Sequence, residues 1–181
     1  MFYYSVFELI LFPHLKEMEI EEIQFNDVDR IQKIAYATWP STFKTILSTE
    51  QIEYMLSWMY NINTLASQVK KGHHFFIYKE NGDDLGFIGI EPNFEKTTYT
   101  KIQKIYILPS AQGKGVGKSL IQFAQNFTIK KYKTTSFLLN VNRFNAAVHF
   151  YHKLGFNIIK EENIDIGNDF WMEDYIMELQ F

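Results

Sequence analysis

The sequence predicts an α+β domain with a mixed central β-sheet flanked by helices. Three observations predict it. Short runs of branched and aromatic residues alternate with segments whose apolar positions recur at helical spacing. Read in order, these give strand, two helices, three strands, helix, strand, helix and two strands. At the centre, a glycine-rich loop joins a strand to an amphipathic helix. The 181 residues are enough for one substantial core.

The first strand is expected at Met18–Gln24, and Asn26-Asp27 then offer N-caps to a helix with Val28, Ile31, Ile34 and Ala35 on one face. Trp39-Pro40 is expected to end that helix, because proline removes a donor and disfavours helix before it. Ser48-Thr49-Glu50-Gln51 has the form of a capping box, and Ile52, Met55, Leu56 and Met59 follow as one apolar face. Phe75–Tyr78 reads as a strand, with Asn81-Gly82 as its turn. Leu85–Ile90 and Tyr99–Ile107 are the next strands. Leu120, Ile121, Ala124, Phe127 and Thr128 mark a helix behind the glycine loop. Phe137–Val141, a helix over 145–154, Asn157–Ile164 and Phe170–Leu179 complete the chain.

The loop runs Pro109-Ser110-Ala111-Gln112-Gly113-Lys114-Gly115-Val116-Gly117-Lys118, directly after Ile105-Tyr106-Ile107. Alternate glycines let backbone approach a ligand closely and leave successive N–H groups free. A helix start adds unpaired amides and the positive end of its dipole. Together they form an anion cradle suited to the phosphates of a nucleotide-derived cofactor. Gly117-Lys118-Ser119 suggests a nucleotide-triphosphate loop, but that motif needs glycine where Gln112 stands. The following strand also lacks the aspartate that would hold magnesium. A dinucleotide fingerprint needs G-x-G-x-x-G rather than G-x-G-x-G, and an acidic ribose partner after a second strand.

Gln112, Gly115 and Gly117 resemble the acetyl-CoA loop Q/R-x-x-G-x-G/A of the GNAT superfamily of N-acetyltransferases. A second segment, Asn145-Ala146-Ala147-Val148-His149-Phe150-Tyr151-His152-Lys153-Leu154-Gly155-Phe156, is similar to the late helix of that family. The spacing of the two motifs leaves room for one helix and one strand. The resemblance spans about Met18 to Phe181 and implies the GNAT (acyl-CoA N-acyltransferase) fold, with acetyl passed directly from acetyl-CoA to an amine. By that resemblance the pantetheine arm lies along Ile105, Tyr106 and Ile107, and the Ile107 backbone amide faces the acyl carbonyl. Gln112, Gly113, Lys114, Gly115, Val116, Gly117 and Lys118 hold the pyrophosphate. Tyr151 protonates the departing sulfur, as a neutral phenol can, and one of Asn142 and Asn145 touches the cofactor arm. Packing on an amphipathic helix is the alternative for Tyr151, and a plain N-cap the alternative for Asn145.

The base is the open position. A primary amine with pKa ~10.4 needs about 4–5 kcal/mol to lose its proton at neutral pH. Many family members carry a glutamate on the strand before the loop, whereas this strand reads Tyr99-Thr100-Lys101-Ile102-Gln103-Lys104. Glu91 is the substitute candidate. Glu173, Asp174, His73, His74 and a water relay are also compatible with the sequence.

The segment Ala37–Lys44 and the following Met55–Asn61 helix resemble the N-terminal half of bacterial polyamine N-acetyltransferases. A polyamine or other small amine is the expected acceptor, with Glu50, Glu53, Asp83, Asp84 and Asp174 available to hold a polycation. A protein or peptide amine, at an N-terminus or a lysine, is the enzyme alternative. An acyl-CoA-sensing module without turnover is the non-enzymatic one.

Composition excludes other classes. Net charge is −3 and no Lys/Arg-rich cluster appears, so no nucleic-acid partner is expected. Without cysteine there is no disulfide framework, thiolate zinc site or cysteine nucleophile, and no metal is expected. Residues 1–17 are expected to be an extension outside the 18–181 acetyltransferase domain, or else a short helix packed upon it. Val6–Phe12 is apolar but too short to span a bilayer, and it lacks the flanks of a signal peptide. A cytoplasmic enzyme without membrane contact is the resulting expectation. Dimers are common in such families, and Phe170-Trp171 offers apolar surface to a second copy or to the core.

Overall fold

The computed structural model describes residues 18–181; the expected extension over 1–17 lies outside them. Seven strands form one sheet: β1 (Met18–Glu22), β2 (His74–Glu80), β3 (Asp83–Glu91), β4 (Tyr99–Ile107), β5 (Ser136–Asn142), β6 (Asn157–Gly167) and β7 (Phe170–Gln180). Their spatial order is β1-β2-β3-β4-β5-β7-β6. Every pairing is antiparallel except that of β4 with β5, which makes the sheet mixed as expected. No helix among the described residues is long and apolar enough to cross a membrane.

Helices cover both faces. α1 (Val28–Phe43), α2 (Thr49–Met59) and α3 (Ile62–Lys70) bury Ile31, Ala35, Trp39, Met55 and Leu65 against Phe75, Ile77 and Phe87 of the sheet. On the other face, α4 (Val116–Tyr132) and α5 (Ala147–Lys153) bury Leu120, Ala124 and Tyr151 against Phe76, Ile88, Ile90, Phe137 and Leu139. Alternation along β2 explains the split: Phe75 and Ile77 point one way, Phe76 and Tyr78 the other.

Three local expectations are corrected. Pro40 lies inside α1, which continues to Phe43. The carbonyl that loses its partner belongs to exposed Tyr36, where water can serve it, and continuation lets Phe43 pack against Trp39 in a tilted contact at 4.6 Å. Asn26-Asp27 form a 3-10 turn without side-chain capping. The region predicted as two helices contains three, because Asn61 accepts from the Thr64 amide at 2.9 Å and starts α3. The capping box is half made. Ser48 Oγ accepts from the Gln51 amide, but the Gln51 side chain donates instead to the Trp171 carbonyl at 2.9 Å. That bond ties α2 to β7.

Candidate active site

The site begins where β4 and β5 part. The two strands pair from Tyr99 with Ser136 up to Ile102 with Leu139, and not beyond. Gln103 is the extra residue of a bulge: Gly89 of β3 faces Lys104, while Ile90 faces Ile102. A bulge bends its strand and increases its twist, turning β4 away from β5. The Leu108 amide donates to the Leu85 carbonyl at 2.9 Å, on the β3 side. Strand alternation therefore turns the amides of Ile107 and Ile105 toward the gap. The Ile107 carbonyl, on the same edge, accepts from Gln112 Nε2 at 3.1 Å.

At the mouth of the gap lies the glycine loop. Gly113 and Gly115 have φ of +75° and +86°, and a Cβ on either would meet nothing within 4 Å. Gly117 is constrained by packing: its Cβ would stand 3.1 Å from Phe150 Cζ and 3.8 Å from Ile107 Cγ1. Gly115 precedes α4, and its carbonyl accepts from the Ser119 amide. The amides of Val116, Gly117 and Lys118 are the orphan donors of the first turn. Exposed Lys114 and Lys118 flank them, while Val116 is buried beneath. Gln112 braces the loop through its side chain, and the backbone amides form the anion-facing surface.

Tyr151 on α5 lies in the core cluster of the α4–α5 face, which also takes in Val141 of β5 and Ile105 and Ile107 of β4. Its ring is buried between Phe150 and Phe156, at 5.3 and 5.6 Å. Burial pushes its phenol well above the ordinary range, with nearby Tyr106 adding to the shift. It is therefore a neutral O–H donor at physiological pH. Asn142 and Asn145 cap local backbone: Asn142 Oδ1 accepts from Phe144, and Asn145 Oδ1 from Ala147, at 3.0 and 2.8 Å. Asn142 ends β5, the strand that walls the gap opposite β4.

On the α1–α3 face, Tyr106 packs among Trp39, Phe43, Tyr60 and Phe87. Next to it, Lys104 is almost wholly buried, with Nζ 5.4 Å from the centre of the Tyr60 ring. Burial lowers its ammonium to about 8. Sequence reasoning missed Lys104, since a lysine on a strand gives no local sign of burial. Asp174 of β7 is buried here too, and burial raises its carboxyl to about 6 against the opposing pull of Asn140, Lys101 and Arg143.

Glu91 is not placed as expected. It pairs with Lys101, below the level at which β4 and β5 separate, and its carboxylate accepts from Gln103 Nε2 at 2.6 Å. Glu173 is half exposed and bound by Arg143 at 3.2 Å. His73 lies 3.8 Å from Glu91, and burial lowers its imidazole pKa, aided by Lys104 and opposed by Glu91. His74 is held by Glu22 and the Tyr132 hydroxyl, at 2.5 and 2.6 Å. Of the five acidic residues considered for a polycation, Asp174 alone stands at the gap. Glu50, Glu53 and Asp83 are exposed, and Asp84 is locked by Arg30 at 2.6 Å. Among the described residues, no cluster of His, Asp and Glu is arranged to hold a metal.

The comparisons agree with this geometry. Residues 71–158, from the end of α3 to the start of β6, match the family model for an acetyltransferase (GNAT) domain. Spermidine N(1)-acetyltransferase of Thermoplasma acidophilum is 26% identical over 162 residues, covering 86% of this chain and 96% of the relative. The crystal structure of the PaiA N-acetyltransferase of Thermoplasma acidophilum, in complex with coenzyme A, superimposes with a TM-score of 0.76 at 24% identity, covering 91% of this chain and 99% of that one. The ribosomal-protein-S18-alanine N-acetyltransferase of Escherichia coli gives 0.67 at 19% identity, over 91% and 94% of the two chains. Residues 71–158, which hold the parted strands and the glycine loop, are an acetyltransferase domain of the GNAT family.

Proposed function

We propose that this chain transfers acetyl from acetyl-CoA to a primary amine of a small molecule, a polyamine being the favoured class. The observation that carries it is the gap between β4 and β5, with free amides on the β4 edge, the glycine loop at its mouth and Tyr151 in the core cluster that Ile105 and Ile107 join. A thioester arm adding to the free edge of β4 would pair with the amides of Ile105 and Ile107 as an extra strand does. The amides at the start of α4, with Lys114 and Lys118, suit a pyrophosphate.

Each residue then has a task. The Ile107 amide, or that of Ile105 deeper in the gap, donates to the acyl oxygen as it becomes an oxyanion. Tyr151 donates its proton to the sulfur as the carbon–sulfur bond breaks, and Asn142 or Asn145 supplies an Nδ2 donor to the arm. The spermidine acetyltransferase relative supports a polyamine. A small acceptor is also favoured by the wall opposite. Gln51 holds Trp171, Tyr54 donates to the Ile166 carbonyl at 2.7 Å, and Tyr54 packs on Phe170 at 5.6 Å. These contacts close α2 against the β6–β7 hairpin, where a peptide groove would need an opening.

Calorimetric titration with acetyl-CoA, ATP and NAD, followed by an amine panel read by thiol release, tests this. The chain has no cysteine, so a thiol dye reports only coenzyme A. Selective micromolar binding of acetyl-CoA and thiol release with spermidine or putrescine are expected. Heat with ATP and none with acetyl-CoA would overturn the reading.

A further inference from the structure

We infer that Asp174 is the catalytic base of this site and that Asn140 is the residue positioning its carboxylate; the inference rests on the acetyl-transfer reading above. Strand register places Asp174. β4 and β5 are last joined at Ile102 and Leu139, and Leu139 pairs with Met177 of β7. Because Gln103 is an extra residue, three ladder steps up β4 from Ile102 reach Tyr106, as Ile90 to Phe87 do on β3; three up β5 from Leu139 is Asn142, which pairs with Asp174. Tyr106 and Asp174 thus stand at one level, on either side of the gap with β5 between, each ~10 Å above its closed end at ~3.3 Å per residue. Glu91 lies below that end.

The carboxylate is buried and prepared for a donor. Asp174 Oδ1 makes no hydrogen bond, and neither does Oδ1 of Asn140 beside it. Buried polar atoms are normally paired. Two unpaired acceptor oxygens side by side match a molecule that brings its own N–H donors, such as an amine. Tyr106 lies within electrostatic reach of both Asp174 and Tyr151, so the two ends of the proton path meet at one side chain.

The balance of the step is complete. Asp174 takes one proton from the substrate nitrogen and passes it to solvent along the gap. The nitrogen–carbon bond forms and the carbon–sulfur bond breaks. The second proton lost by the ammonium equals the one that Tyr151 delivers to sulfur. The products are the acetamide, coenzyme A thiol and one released proton.

The test is the pH dependence of kcat for the full chain at saturating acetyl-CoA. Lys101, Arg143 and Asn140 favour the ionised carboxylate, while burial and Glu162 oppose it, so turnover should fall below about pH 6. Asp174→Asn should lower kcat at least about 100-fold, abolish that acid limb and leave acetyl-CoA affinity within about threefold. Asn140→Ala should shift the limb to higher pH, which a purely structural role would not do. An Asp174→Asn protein that retains the limb and kcat within about threefold would overturn the inference. Should that variant not fold, an unshifted limb in Asn140→Ala would overturn it equally. Wild type that binds acetyl-CoA yet turns over no amine would instead sink the transfer reading itself.

Discussion

Asp174 of β7 pairs with Asn142 of β5, and that register carries a carboxylate into the sheet's interior at the edge of the gap. An ionised group held there without a full set of donors weakens the fold. Its folded-state value is raised from 3.8 to about 6, so the folded protein binds the proton more tightly than the unfolded chain. Stability therefore rises as pH falls from about 6 toward 4, and the penalty is fully present above 6. Asp174→Asn is expected to stabilise the protein at pH 8 by at most about 3 kcal/mol, at about 1.4 kcal/mol per unit. Thermal unfolding at pH 8 and pH 4 checks this: a gain of several degrees at pH 8 should nearly vanish at pH 4. Lost turnover with gained stability is the pattern of a functional residue.

Lys104 gives the mirror case. Burial lowers its ammonium from 10.5 to about 8, so the charged form is penalised in the folded protein. The penalty is complete below about 8 and gone above 10.5. Lys104→Met should raise stability at pH 7 by up to about 3 kcal/mol, with the gain shrinking toward pH 10. Nζ also places positive charge near Tyr60, on the face where an amine is proposed to reach Asp174. The same variant should lower KM for spermidine several-fold while leaving that of a monoamine unchanged. Equal shifts for both amines would separate Lys104 from acceptor selection.

The glycine loop makes distinct demands at two positions. Gly115→Ala forces a side chain onto φ +86°, a strain of about 1–2 kcal/mol in open space. Gly117→Ala has an ordinary backbone, but its Cβ presses on Phe150 at 3.1 Å, beside Tyr151. Both should weaken acetyl-CoA binding about tenfold in calorimetry. Only Gly117→Ala should also lower kcat, because it displaces the ring next to the acid.

Tyr151→Phe removes the phenol and leaves the packing. A kcat loss of about 10–100-fold with unchanged acetyl-CoA affinity is expected in steady-state assays. Burial keeps this phenol protonated well past its ordinary value, so wild type should show no basic limb from Tyr151 up to about pH 10.

Much of this site was legible in the sequence because its determinants are local. Glycines at 113 and 115 sit where the backbone needs positive φ, and apolar spacing sets the faces of α2 and α4. Tyr151 comes within a short helix whose neighbours carry the family likeness. Strand type and order also follow from period-two and period-3.6 patterning, which neighbouring residues impose on one another. What the sequence by itself determined is therefore the fold class, the glycine loop at the head of α4 and the place of Tyr151 on α5. Pro40 within α1, the third helix and the gap depended on the tertiary structure. A proline's helical fate turns on who solvates Tyr36, and a gap is a failure of pairing between strands that no local pattern records. The base proposed here belongs to the same group: Glu91 is the nearer carboxylate in sequence, yet register across β4, β5 and β7 brings Asp174, 68 positions after Tyr106, level with it. The charge states of Lys104 and Asp174 were likewise decided only by folding, because desolvation depends on everything packed around a group and not on its neighbours in the chain.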